Sequence, residues 1–166
     1  MGLHLSTIGI IHTIIGIIAL ALAISALVKS GQIAPKSPLG KWYIYLTLAA
    51  SFSSFAVMKT GHLSPSHFLT ALILLILPVA IFARSITFFG RRAEAVQVVG
   101  MTATLYLSFI PTIVETLTRV PVGDPLAASQ EAPVIKGLLG ILTLVFTVLV
   151  FFQLRAVKRS RIGVIG

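Results

Sequence analysis

The chain has no cysteine, one tryptophan and only four acidic residues in 166. Without cysteine there are no disulfides, no thiolate metal sites and no Cys-ligated iron–sulfur clusters. A charged content of 10% leaves too little polar surface to wet a soluble domain. There is also no Walker loop, no G-x-G-x-x-G following a strand, no H-E-x-x-H and no nucleophile elbow, so hydrolytic chemistry has no support. No repeat or low-complexity tract is visible.

Apolar residues are abundant. Hydrophobic residues make up 57% of the chain and mean hydropathy is +1.04, the composition of an integral membrane protein whose partner is the lipid bilayer. The expected fold is all-α: one transmembrane helical bundle spanning 1–166, with no separate soluble domain. Five apolar runs mark the helices, at about 5–28, 42–58, 66–88, 96–118 and 134–154. The breaks between them, SGQIAPKSPLGK, TGHLSPS, FGRRAEA and VPVGDPLAASQEAP, are polar or rich in Gly and Pro. A four-helix alternative would lay one run along the interface. The stretch ALALAISA at Ala19 to Ala26 has the A-x-A spacing of a signal-peptidase site. It lacks a positive n-region and is read as part of a retained first helix.

Lys and Arg set the orientation. Lys29, Lys36, Lys41, Arg84, Arg91, Arg92, Arg155, Lys158, Arg159 and Arg161 fall on one side of a five-helix bundle, against Lys59, Arg119 and Lys136 on the other. The richer side is expected to be cytoplasmic, with the amino terminus outside and the carboxyl terminus inside, in a bacterial-type inner membrane. This sorting accounts for the +9 net charge and the pI near 10.7. Charges at helix ends are topology signals, not a basic groove interleaved with aromatics, so no nucleic acid is expected as a partner. The RAVKRSR stretch reads as a solvated tail or a contact for anionic headgroups.

The helices are sided. Gly9, His12, Gly16, Ala19, Ala23 and Ala26 form a small-residue stripe that should face other helices, carrying His12 into the bundle. Ala49, Ser53 and Ala56 on the second helix, and Gly137, Gly140, Thr143 and Thr147 on the fifth, are expected to allow close helix approach. Thr104, Ser108, Thr112 and Glu115 share a polar face near Pro111, and Pro78 interrupts the third helix. Trp42, Tyr43 and Tyr45 read as an interfacial aromatic anchor.

All four histidines, His4, His12, His62 and His67, are expected at the outer end. His4 and His12 lie roughly 12 Å apart along one helix and about 80° around it, so any site must be built across helices. Glu115 is the one carboxylate expected inside the hydrocarbon zone, near the same end. The functional reading pairs His12 with His67, or His4 with His62, as axial haem ligands, or takes the four histidines with Glu115 as a transition-metal site. The structural reading makes them interface or hydrogen-bonding histidines, as histidines beside loops commonly are.

The segments HTIIGIIALALAISALVKSG, KSPLGKWYIYLTLAASFSSFAV and GHLSPSHFLTALILLILPVAIFAR cover about the first half of the chain. They carry a histidine ahead of a Gly, His12, an L-G-x-x-Y element, Leu39, Gly40 and Tyr43, and an S-P-x-H element, Ser64, Pro65 and His67. In these elements the chain resembles a bacterial family of small predicted membrane proteins of unknown function. More distantly it resembles small b-type cytochromes of the b561 kind, whose bundles hold haem between histidines. That resemblance implies electron transfer with a quinone or a periplasmic redox partner. Where such relatives carry histidines near inner loops, this chain has Lys36 and GRRAEAV, so it implies one outer-face haem at most.

Three functions follow as expectations. The first is a redox or metal-binding membrane protein with haem b or a transition metal at the outer histidines. The second is a non-catalytic subunit or assembly factor of a larger membrane complex or homo-oligomer. The third is a small-solute or proton transporter, for which inverted symmetry and further intramembrane carboxylates are lacking.

Overall fold

A computed structural model describes residues 7–56, 65–121 and 123–162. It contains α1 (Thr7–Ser30), α2 (Pro38–Ala56), α3 (Pro65–Phe82), α4 (Ala93–Arg119) and α5 (Pro133–Ile162), with two 3₁₀ segments, Ala83–Ser85 and Thr87–Arg92, linking α3 to α4. No strand occurs among the described residues. Four stretches are long and apolar enough to cross a membrane: Thr7–Ser30, Pro65–Ser85, Thr87–Arg119 and Pro133–Arg161. α2 falls short because Lys41, Trp42, Tyr43, Tyr45 and several hydroxyls dilute its apolar residues.

Helix starts follow local chemistry. α2, α3 and α5 each begin with proline, whose missing N–H costs nothing in a first turn. Ser37 caps α2, its Oγ accepting the Gly40 N–H at 3.0 Å while donating to the Ala34 carbonyl at 2.8 Å. The L-G-x-x-Y element therefore opens with a tight turn: a Cβ on Gly40 would overlap the Ala34 carbonyl.

Two boundaries differ from the sequence expectation. The third helix ends at Phe82 rather than near 88, and the chain turns through Gly90, at φ 43° and ψ −123°, a backbone open chiefly to glycine. The fifth runs on to Ile162 instead of ending near 154, because Arg, Ala and Lys continue a helix after hydropathy stops. At 30 residues it is about 45 Å long, longer than a hydrocarbon core, so its basic last turns overhang.

Neighbouring helices pack in chain order, α1 on α2, α2 on α3, α3 on α4 and α4 on α5, while α1 also touches α4. The core gathers Ala19, Ala23, Ala26, Ile33, Tyr43, Ile44, Leu77, Ala80, Met101 and Leu105. The alanine stripe of α1 is buried as expected. α3 and α4 approach so closely that a Cβ on Gly100 would come 2.7 Å from that of Ala80. The faces expected on α2 and α5 are met in part, Ser53 meeting His12 of α1 and Thr143 meeting Tyr106 of α4, each at 2.9 Å. Ala49 is exposed, and Gly137 and Gly140 of α5 face open space, since α5 sits at the edge and meets α4 through larger side chains.

Candidate functional site

The two ends of the bundle have different chemistry. At one end lie the α1–α2 link, the 3₁₀ segments and the last turns of α5. Gln153 accepts the Thr102 hydroxyl at 2.9 Å and donates Nε2–H to the Gly31 carbonyl at 2.9 Å. Glu94 takes Arg84 at 3.0 Å and Arg161 at 3.7 Å. The ten basic residues sorted together by the sequence belong to the segments forming this end.

His12 and His67 belong to the other end. His12 lies in the second turn of α1, and its Nδ1 stands 2.9 Å from Ser53 Oγ near the end of α2. Ser53 donates its only hydroxyl proton to the Ala50 carbonyl at 2.9 Å. Its oxygen is then free to accept an Nδ1–H, the tautomer that would leave the imidazole lone pair on Nε2. A ring oriented through Nδ1–H, with Nε2 as donor atom, is the arrangement metal-binding histidines use.

His67 is buried in the first turn of α3. Among the described residues the backbones of α1 and α3 do not approach closely, and both helices pack on α2. The Oγ of the next residue of α2, Ser54, stands 3.2 Å from Thr70 Oγ1, one turn beyond His67. Adjacent serines of α2 thus tie it to the helix carrying His12 and to the helix carrying His67. The structure brings both histidines to one end through α2, without placing them on neighbouring helices. His4 and His62 lie outside the described residues.

Glu115 is in the last turns of α4 and forms an ion pair with Arg119, one turn on. Each side chain is 39% exposed. The carboxylate expected to stand alone in hydrocarbon thus has its own cation at the helix end. Among the described residues no group of three His, Asp or Glu could hold a metal ion. Ligation by these residues would therefore rest on the imidazoles. Two imidazoles are fewer than the three or four protein ligands of a structural or catalytic zinc-type site.

Sequence reasoning missed the buried polar pairs. Tyr43, expected at an interface with Trp42 and Tyr45, is fully buried and donates its phenol to Thr104 Oγ1 at 2.8 Å, since the Thr104 proton goes to the Met101 carbonyl at 2.8 Å. Trp42 and Tyr45 do stand outside, edge to face at 6.3 Å. Gln97 Nε2 lies 3.3 Å from both the Ala80 and Ile81 carbonyls, where α3 ends. Lone glutamines in apolar runs, at 97 and 153, were the available signal. The polar face of α4 is satisfied locally, Ser108 donating to Thr104 O at 2.9 Å and Thr112 to Ser108 O at 2.8 Å.

No family model matches the chain, and no curated protein or solved structure does either.

Proposed function

We propose that this is a multi-pass protein of a bacterial-type inner membrane, amino terminus outside and basic end cytoplasmic, whose outer end binds one b-type haem or a transition-metal ion through His12 and His67. Electron transfer with a quinone or a periplasmic partner is the function such a site serves. The Ala50–Ser53–His12 hydrogen-bond chain carries this reading, because it leaves Nε2 as the lone-pair nitrogen. When bound, the group supplies one-electron chemistry. The chain's own part is to fix the imidazole tautomer through Ser53 and to offer a second imidazole from α3. His12 falls on α1, and Pro65 and His67 of the S-P-x-H element fall on α3.

A second reading, a subunit or assembly factor of a larger membrane complex, is favoured by α5. Only 11% of its most apolar window is buried, and Gly137 and Gly140 face open space.

A visible absorption spectrum in mild detergent, before and after dithionite, together with metal analysis, tests the site. A Soret band that sharpens on reduction and is absent from His12→Ala and His67→Ala supports haem. Stoichiometric metal in a colourless protein, lost in the same variants, supports the ion. A protein from haem- and metal-replete cells carrying neither moves the reading to the subunit role.

A further inference from the structure

Along the seam of α3 and α4 an apolar groove of about 590 Å³ runs from the basic end toward the middle of the bundle. Leu75, Ile76 and Val79 of α3 and Ala95, Val96 and Val99 of α4 line it, and the close approach of Ala80 and Gly100 forms its floor. One charged residue borders it, Arg92, at its mouth. From Arg92 to Gly100 the groove extends about 12 Å, the length of a substantial segment of an acyl chain.

The cation at the mouth is uncommitted. Glu94, the nearby carboxylate, is taken by Arg84 and Arg161, and no ion pair among the described residues involves Arg92 or Arg91. Beside them Phe88 is 90% exposed, edge to face with Phe89. An exposed aromatic next to free arginines is the composition of a segment seated at headgroup level, ring toward hydrocarbon and guanidinium toward phosphate.

We propose that this groove is a binding site for one anionic phospholipid of the leaflet at the basic end, an acyl chain lying along α3 and α4 and the headgroup phosphate on Arg92. Charge complementarity selects this occupant. A helix from another protein would fill the groove but would leave Arg92 at its mouth without an anion, whereas a phosphodiester supplies acyl chain and anion in one molecule.

Native mass spectrometry of the intact protein, released from detergent containing equimolar phosphatidylglycerol and phosphatidylcholine with the same acyl chains, tests the site. One phosphatidylglycerol should be retained in preference to phosphatidylcholine. Arg92→Ala should lower that preference about fivefold, the fold-change equivalent to ~1 kcal/mol per basic residue at an anionic lipid surface. Arg159→Ala, at the same end but outside the groove, should keep it. Ala95→Phe, which fills the groove, should displace both lipids. Equal retention of the two lipids overturns the proposal, as does an Arg159→Ala loss equal to that of Arg92→Ala, or unchanged retention in a folded Ala95→Phe protein.

Discussion

Thr102 and Gln153 are hydrogen-bonded at 2.9 Å between two helices, both side chains buried. The amide of Gln153 also donates to the Gly31 carbonyl, so one side chain fastens α5 to α4 and to the α1–α2 link. α5 is otherwise the least buried of the spanning helices. Its attachment at the basic end rests on this amide and on Arg161 beside Glu94.

Gln153→Leu should therefore lower stability by about 1–2 kcal/mol, the upper range for interhelical hydrogen bonds in membrane proteins. In a double-mutant cycle with Thr102→Val, the two losses should fall short of additivity by about 1 kcal/mol, because either substitution removes the same bond. Unfolding in mixed micelles by titration with a denaturing detergent measures both. Strict additivity would mean that the bond contributes nothing.

Tyr43 and Tyr45 are two residues apart and should respond in opposite ways. Tyr43 is fully buried and bonded to Thr104, so Tyr43→Ala should cost about 3–5 kcal/mol through the cavity it leaves. Tyr43→Phe keeps the volume, and Thr104 keeps its bond to Met101, so the loss should be about 1 kcal/mol. Tyr45→Phe, 61% exposed, should stay within about 0.5 kcal/mol of the parent. Thermal unfolding in one detergent ranks the three.

The same pair shows what the sequence could and could not reveal. Hydropathy marks helices because lipid demands long apolar runs, so five helices and the alanine stripe of α1 were legible. Trp42, Tyr43 and Tyr45 look alike in such a reading, since which tyrosine turns inward depends on Thr104, 61 residues away. Gly137 and Gly140 invite close packing by the same rule as Ala19 and Ala23, yet they face open space because nothing in a stripe says which neighbour arrives. That His12 and His67 share one end of the bundle was legible from the order of the helices. The contact of Ser53 with His12 Nδ1 needed coordinates.

Gly40→Ala tests the turn that starts α2. The added methyl would overlap the Ala34 carbonyl and come within 3.1 Å of Ser37 Oγ, so the link must move and the cap loosen. A loss of about 1–3 kcal/mol is expected. Gly137→Ala meets nothing within 4 Å and should be neutral, or stabilising by up to about 1 kcal/mol through helix propensity. Melting temperatures of the two variants should diverge in sign or clearly in size.

Glu131 in the α4–α5 link donates no stability worth measuring, although its carboxyl is held below the ordinary range. The hydrogen bond from Lys136, at 2.8 Å, is the larger cause and the lysine charge the second. A lowered folded-state pKa means the pair favours folding above the unfolded carboxylate's pKa, and that benefit is lost as pH falls through the folded value. Both partners are open to solvent, which screens the interaction. Glu131→Gln should leave the acid limb of a thermal-stability profile superimposable on that of the parent.

Ser53→Ala separates a ligand-positioning hydrogen bond from a packing contact. Removing the hydroxyl deletes the acceptor for His12 Nδ1–H, freeing the ring to rotate and its tautomer to change. If His12 binds haem or metal through Nε2, affinity should drop about 10–100-fold, the usual cost of losing an outer-shell partner. Ser53→Thr, which retains the hydroxyl, should recover most of it. Haem or Zn²⁺ titration of the purified variants reads affinity, and circular dichroism melting reads packing separately. A Ser53→Ala protein that binds as tightly as the parent but melts lower would make the bond one of α1 to α2 only, and would shift the weight of the functional reading to the open face of α5.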